Sequence, residues 1–370
     1  MNAKRLDVSE FGAVGDGQTD NTAALQRAID AAAAVQGTLW VPPGVFCTGS
    51  LRWHSHVGMC GEPTWSFGDF GGSILRLNDA TAPCLLDFTG AIGATLSGVC
   101  LDGGGLGTGI HGVLVDKPDY GKMEDTPRIE RCRISRFSGD GVRLNRIWCF
   151  SIRGCMISHN TGNGVWIRGW DGFLLDNWLS GNGGAGYAAF EENLSVTLTG
   201  NRIEWNRAGG LVSRGGGHYN VTGNYIDRSG GPGIWFAPRG KVPCTVIAIT
   251  GNVIYRSGRP EWIPADDALA SSHIRLEGCR GLTCCSNSMN ASMDDRGQGQ
   301  LSPRFGLVLQ GLSDCVVKDN TLYHAAIETL VVDRGGHNER TIVRDNVGTV
   351  FDPAKTPMSE LNAAWADVAW

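Results

Sequence analysis

Glu204 and Asp227 each close a short triplet centred on an aliphatic residue, Arg202-Ile203-Glu204 and Tyr225-Ile226-Asp227, and Val253-Ile254-Tyr255 continues the series. If the triplets are stacked β-strands, the two carboxylates face outward one strand spacing apart, about 4.8 Å between backbones. The carboxyl groups of a retaining glycosidase stand roughly 5–5.5 Å apart. A close acidic pair also raises one pKa, as a proton donor requires. The competing reading is charge pairing, because Arg228 follows Asp227 directly.

A second set of side chains follows the Gly that opens another strand in each repeat: GVRLN, GVWIR, GYAAF, GGLVS and GIWFA. Alternation turns Val142, Val165, Tyr187, Leu211 and Ile234 inward. The outward row is then Arg143, Trp166, Ala188, Val212, Trp235, Arg275 and Val308. Asn145, Arg168, Phe190, Arg214, Ala237, Glu277 and Gln310 form the next row, with Glu191 and Glu192 immediately beyond. Trp166 and Trp235 offer flat faces for sugar rings, and Arg168, Arg214 and Arg275 can bind carboxylate or sulfate groups. Glu191, Glu192 and Glu277 can supply a proton donor together with a base or nucleophile. Singly, each of these is more simply a solvated, paired surface residue; as a face they predict a binding groove.

The insertion SGRPEWIPADDALASSHIRLEGC breaks the repeat and brings Trp262, Asp266, Asp267 and His273 ahead of Arg275 and Glu277. Loops leaving a rigid repeat tend to line the functional surface. Asp266 and Asp267 are a candidate calcium site or an exposed acidic turn. A second insertion carries Asp294, Asp295 and Arg296 and is expected to wall one end of the groove.

The elements that must position these residues are legible in a repeat. A small residue and then Asn recur before an aliphatic residue, at Asn177, Asn201, Asn224, Asn252, Asn287, Asn320 and Asn346, with Cys132 and Cys155 in the same slot upstream. The intervals from Cys132 onward are 23, 22, 24, 23, 28, 35, 33 and 26 residues. Segments between markers are short, β-rich and alternating, and no helix-length segment separates them, which excludes a βαβ barrel. One such coil cannot bury its apolar face alone. Stacking buries Ile134, Ile157, Leu179, Ile203, Ile226 and Ile254 on one another, each worth roughly 1.5–3 kcal/mol. The recurrent Asn is expected to form a ladder, its amide bonding the backbone of adjacent coils. An open stack end invites aggregation and needs a cap. Thr19–Ala34, with Ala24, Leu25, Ile29 and Ala32 on one face, predicts an amphipathic capping helix, and MSELNAAWADVAW predicts a short helix at the other end.

Composition agrees. Gly contributes 54 of 370 residues against 14 Pro, which suits many tight turns at a fixed interval. A net charge of −5 without a block of like charges argues against nucleic-acid binding. No apolar run is long enough to span a membrane. The first residues hold no apolar signal core, so the chain is expected to be cytoplasmic as written, or secreted if a leader was removed. The 12 cysteines show no CxxC pair and read as reduced packing residues.

The segment LDVSEFGAVGDGQTDNTAALQRAIDAA with the following GTLWVPPGVF resembles the start of pectate-lyase-superfamily β-helix proteins, and CLDGGG at Cys100–Gly105 is similar to that family's strand-to-turn marker. The resemblance implies a single-domain, all-β, right-handed parallel β-helix with an N-terminal capping α-helix, and carbohydrate-directed activity. The family includes glycoside hydrolases, polysaccharide lyases, alginate epimerases and phage tailspikes. Neither Gly-His-Gly nor Asp-Pro-His-Asp occurs, so no catalytic residue carries over. The expected layout is a cap and first coil over residues 1–60, coils over 61–350 and a tail over 351–370. Glycosidic-bond cleavage of a polysaccharide or oligosaccharide by carboxylate acid/base catalysis, needing no cofactor, is the leading expectation. Calcium-assisted β-elimination of a uronate polymer, with Arg168 or Arg214 as base, is the alternative, and a non-catalytic tailspike-like binder is the third. Monomer and side-by-side trimer both remain compatible with the sequence.

Overall fold

Three short strands make each coil, and the turn residues explain where each strand stops. In the computed structural model, which describes residues 5–62, 65–68, 71–264, 266–294 and 298–355, one coil runs Arg202–Glu204, Gly209–Arg214 and Gly217–Thr222. The next runs Tyr225–Asp227, Ile234–Ala237 and Cys244–Thr250, and the following one Val253–Tyr255, Ser272–Glu277 and Cys279–Cys285. Strands of successive coils pair in parallel and in register, as in Ile203↔Ile226↔Ile254↔Met289. The chain is a right-handed parallel β-helix. Cα packing separates two units, Met1–Ala188 with Leu194–Val196, and Ala189–Asn193 with Thr197–Trp370.

The first unit holds the cap. Its helix spans Thr22–Val35, burying Ala24, Leu25, Ala28, Ile29 and Ala32. It begins three residues later than the sequence suggests because Asp16–Asp20 is a strand paired with Gly44–Thr48. Asn21 does not cap the helix with its side chain. Its amide instead bonds Val14 and Cys47, fastening the helix to the first coil. Further along, Leu101↔Ile134↔Ile157↔Leu179 form one buried ladder.

In the second unit the asparagine ladder runs amide to amide as well as to the backbone. Asn224 Oδ1 accepts the Asn201 N–H at 3.0 Å and Asn201 Nδ2 at 2.9 Å, while Asn224 Nδ2 donates to Leu198 O at 2.9 Å. Asn252, Asn287, Asn320 and Asn346 repeat the pattern. In the first unit Cys155 donates its N–H to Asn177 Oδ1, so a Cys takes the slot without an amide of its own. A second ladder there, Asn160 on Asn182, has no counterpart in the sequence expectation. All 12 cysteines are free, nine of them buried and Cys60, Cys149 and Cys285 half-buried.

The bend after each triplet is a residue in the left-handed region: Trp205 at φ 58°, Arg228 at 52° and Arg256 at 52°. Such values are uncommon outside Gly, and their recurrence at one place in the coil makes them architectural. Residues 356–370, and with them the expected C-terminal helix, lie outside the described residues. Among the described residues no helix is long and apolar enough to cross a membrane.

Candidate active site

The strand Ser272–Glu277 alternates Ile274 and Leu276 inward with Arg275 and Glu277 outward. Its partner across one coil is Ile234–Ala237, in register Trp235↔Arg275, and beyond that Gly209–Arg214, in register Val212↔Trp235 and Arg214↔Ala237. The predicted rows Val212–Trp235–Arg275–Val308 and Arg214–Ala237 are therefore formed, and Glu277↔Gln310 extends the second.

The side chains along these rows are tied to one another. Trp235 Nε1 donates to Glu277 Oε2 at 3.0 Å, and Arg275 Nη2 donates to Glu277 Oε1 at 3.0 Å. Arg275 Nη1 meets both oxygens of Asp267, at 2.8 and 2.7 Å. Arg275 is 10% exposed, Glu277 17% and Asp267 32%, so a buried guanidinium carries two carboxylates that reach solvent. The Trp235 ring lies 3.6 Å from the Arg214 guanidinium and 4.4 Å from that of Arg275. Arg214 has no ion-pair or hydrogen-bond partner for its guanidinium among the described residues. Burial pushes it below the ordinary arginine value, with Glu277 pulling it partly back. Ala237, in register beside Arg214, is buried, and the Trp235 ring spans the space from the Arg214 guanidinium to Glu277. The turn Arg239–Val242, closed by paired N–H···O bonds, sets the Arg239 Cβ over Gly215.

The triplet strip is built differently. Glu204, Asp227 and Tyr255 are in register, but Glu204 is 5% and Asp227 1% exposed. Asp227 accepts from Arg256 Nε at 3.2 Å and Nη2 at 3.1 Å, and from Arg228 Nη1. Glu204 accepts from Arg202 Nε at 2.7 Å. Burial pushes the Asp227 carboxyl up, against the pull of Arg256 and Arg228. Both insertions roof this strip. Arg256 donates to Met293 O in the antiparallel pair Ser292–Asp294 and Gln298–Ser302. Arg259 lies 4.1 Å from the Trp262 ring and 5.5 Å from Trp205, whose other near guanidinium is Arg228 at 4.5 Å. Trp262 rests on Gly230, where a Cβ would fall 2.8 Å from its ring.

The remaining sequence candidates fall elsewhere. Glu191 and Glu192 occupy a turn organised by buried Asn193, whose Nδ2 donates to the carbonyls of Glu191 and Arg214 while Oδ1 accepts from Ser213 and Tyr219. In the first unit Trp166 is 5% exposed beneath Arg143, whose guanidinium is 3.9 Å from its ring, so that face is closed to a sugar. Arg168, paired in register with Asn145, is half-buried. Both oxygens of Asp267 face the Arg275 guanidinium, and Asp266 is exposed. Among the described residues no three His, Cys, Asp or Glu side chains are grouped to hold a metal ion. Asp295 and Arg296 lie outside the described residues.

Sequence reasoning did not foresee Asp267 as a partner of Arg275, because the two are joined by a non-periodic loop.

A family model described as rhamnogalacturonase A/epimerase, pectate lyase-like, matches residues 6–68, and a right-handed β-helix region model matches residues 145–292 and 190–350. Among solved structures, DFA-IIIase from Arthrobacter chlorophenolicus in complex with GF2 is similar at TM-score 0.68 and 16% identity, over 95% of this chain and 96% of that one. The mannuronan C-5 epimerase A-module from Azotobacter vinelandii is similar at TM-score 0.55 and 16% identity, over 94% and 100%. The catalytic unit of the α-1,3-glucanase from Streptomyces thermodiastaticus is similar at TM-score 0.58 and 16% identity, over 93% and 71%. Likeness at these identities speaks to the fold. With a β-helix model over more than half its length and a pectate-lyase-like model on its cap, the chain belongs to the pectate-lyase-like right-handed parallel β-helix proteins.

Proposed function

We propose that this protein is a carbohydrate-active enzyme that cleaves glycosidic bonds by carboxylate acid/base catalysis, at the face carrying Trp235, Arg275, Glu277 and Asp267. The observation that carries this reading is the pair of solvent-reaching carboxylates, Glu277 and Asp267, held by one buried guanidinium beside an indole. The three neighbours act on, bind or are named for saccharides, which supports the substrate class. Both oxygens of Glu277 accept N–H bonds, which suits the carboxylate that attacks or activates water. Hydrolysis then needs one carboxyl to protonate the departing glycosidic oxygen as the C1–O bond breaks, while water supplies the new C1–O bond and returns the proton. The Glu204/Asp227 pair, sealed under Arg228 and Arg256, is assigned a structural role.

A second reading, β-elimination, is favoured by one feature: Arg214 is depressed by burial, as a guanidinium acting as base requires. The test is a digest of neutral and uronic polysaccharides, with and without calcium, following new reducing ends and the ultraviolet absorbance of unsaturated products. Reducing ends without absorbance, lost by about 100-fold or more in Glu277→Gln, support hydrolysis. Absorbance that tracks reducing ends replaces it with elimination, and saccharide binding without either product replaces both with a binder.

A further inference from the structure

We propose that Trp235 is a positioning residue: with its ring clamped between two guanidinia, its indole N–H holds the Glu277 carboxylate in place for the reaction. This rests on the site reading above. An outward indole on a β-helix strand invites a role as a flat face for a sugar ring, and the register argues against that role here. The strand Ile234–Ala237 lies between Gly209–Arg214 of the coil before and Ser272–Glu277 of the coil after. From the first comes the Arg214 guanidinium, 3.6 Å from the ring, and from the second that of Arg275, at 4.4 Å. A cation from each neighbouring coil thus occupies the π system, and what the ring offers other groups is its edge.

That edge carries the N–H, which donates to Glu277 Oε2 at 3.0 Å. Glu277 Oε1 accepts Arg275 Nη2 at 3.0 Å, so an indole and a guanidinium grip one oxygen each. Arg275 is fixed in turn by both oxygens of Asp267. Support therefore runs from Asp267 to Arg275, and from Arg275 to the ring and the carboxylate together. Arg214, which meets no carboxylate among the described residues, braces the ring from the other side. Positive charge against the π system favours a negative acceptor at the N–H. A carboxylate held at both oxygens presents its remaining lone pairs in a set direction, as attack on an anomeric carbon or on a water proton requires. A phenyl ring could sit between the same two guanidinia, but it would leave Oε2 without its donor. The indole is thus explained by the carboxylate it holds.

The test replaces Trp235 by Phe and, as the conservative variant, by benzothienylalanine, which keeps the bicyclic ring and exchanges the N–H for sulfur. Thermal melting reports that each variant folds. Initial rates are read on the polysaccharide that the parent converts in the digest above. Losing one charge-assisted N–H···O bond and no sugar contact should lower kcat by about tenfold or more, with KM within about twofold of the parent. Parent kcat in the benzothienylalanine protein overturns the proposal, and a raised KM alongside it returns the ring to sugar binding. On a Glu277→Gln background, loss of the N–H should cost nothing further. The two readings fail separately. If Glu277→Gln keeps parent turnover, the site reading falls; if it is inactive while the benzothienylalanine protein runs at the parent rate, the site stands and the role of Trp235 falls. A measurement without turnover completes the test: the proton–nitrogen correlation spectrum of the indoles, with the Trp235 signal assigned by its loss in Trp235→Phe. A slowly exchanging N–H that shifts in Glu277→Gln is expected. Exchange at the rate of a free indole, with no shift, overturns the proposal whatever the activity.

Discussion

His273 sits at the start of the strand that delivers Arg275 and Glu277, it is fully buried, and neither ring nitrogen finds a hydrogen-bond partner at normal geometry. Burial pushes its pKa down to about 3, with the Ala325 backbone pulling weakly upward. In the unfolded chain the imidazole titrates near its ordinary value, about 6.5. Between those two values the unfolded chain binds a proton that the folded one refuses, so stability falls as pH drops through that window. At about pH 7.5 both states are neutral and the effect vanishes. At about pH 5 the linkage relation gives a loss of about 2 kcal/mol, rising toward about 5 kcal/mol below pH 3. His273→Leu removes the titration while keeping an apolar side chain of similar bulk. Urea unfolding followed by tryptophan fluorescence at several pH values, in parent and variant, isolates the term, because every carboxylate titrates alike in both. The parent should lose about 2 kcal/mol more than the variant between about pH 7.5 and 5. Equal losses would refute the reasoning and place His273 within reach of solvent or of an acceptor.

Asp227→Asn leaves two guanidinia facing a neutral amide in a buried site, and should lower stability by about 3–5 kcal/mol in denaturant titrations. Its folded fraction should keep its turnover; a well-folded but inactive variant would return catalysis to the triplet strip. Asn252→Leu removes the acceptor for Asn224 N and Nδ2 and the donor to Val221 O and Asn287 Oδ1, a loss on the order of 3 kcal/mol readable by thermal melting. Burial pushes Cys84 and Cys284 up to about 12, so a thiol reagent near neutral pH should label at most Cys60, Cys149 and Cys285 in the native protein and all 12 after unfolding. Early labelling of Cys284 would contradict the burial described.

What the sequence disclosed was whatever repeats. Ile203, Ile226 and Ile254 each follow an Asn by two positions, and the register that stacks them follows from that spacing. The outward rows came from the same alternation, which is why Trp235 was placed beside Arg275 correctly. Burial of outward residues did not follow, because it depends on what the insertions cover. Asp227 occupies an outward position, yet Arg256 and the strands at Ser292–Asp294 and Gln298–Ser302 close over it. The same holds for Asp267, whose contact with Arg275 is set by the path of the loop and by no period. Trp166 shows a third limit. Its place in the row was right, but the long neighbour Arg143 lies across its ring.

The two strips show why acidic residues on a β-helix need their arginines counted before a role is assigned. In register stacking sets like positions one strand spacing apart, so two acids in one column repel unless a cation intervenes. At Asp227 the cations arrive from the bend residue of the same coil and of the next, at Glu204 from Arg202 on its own strand, and the insertions then remove water, which makes each charge costly to lose. At Glu277 the cation is the column neighbour two positions back on its own strand, and Asp267 reaches that cation from a loop. The carboxylates there are held without being covered. A group that must meet a substrate needs orientation together with access, and of the acidic pairs on this face of the second unit, Glu277 with Asp267 has both.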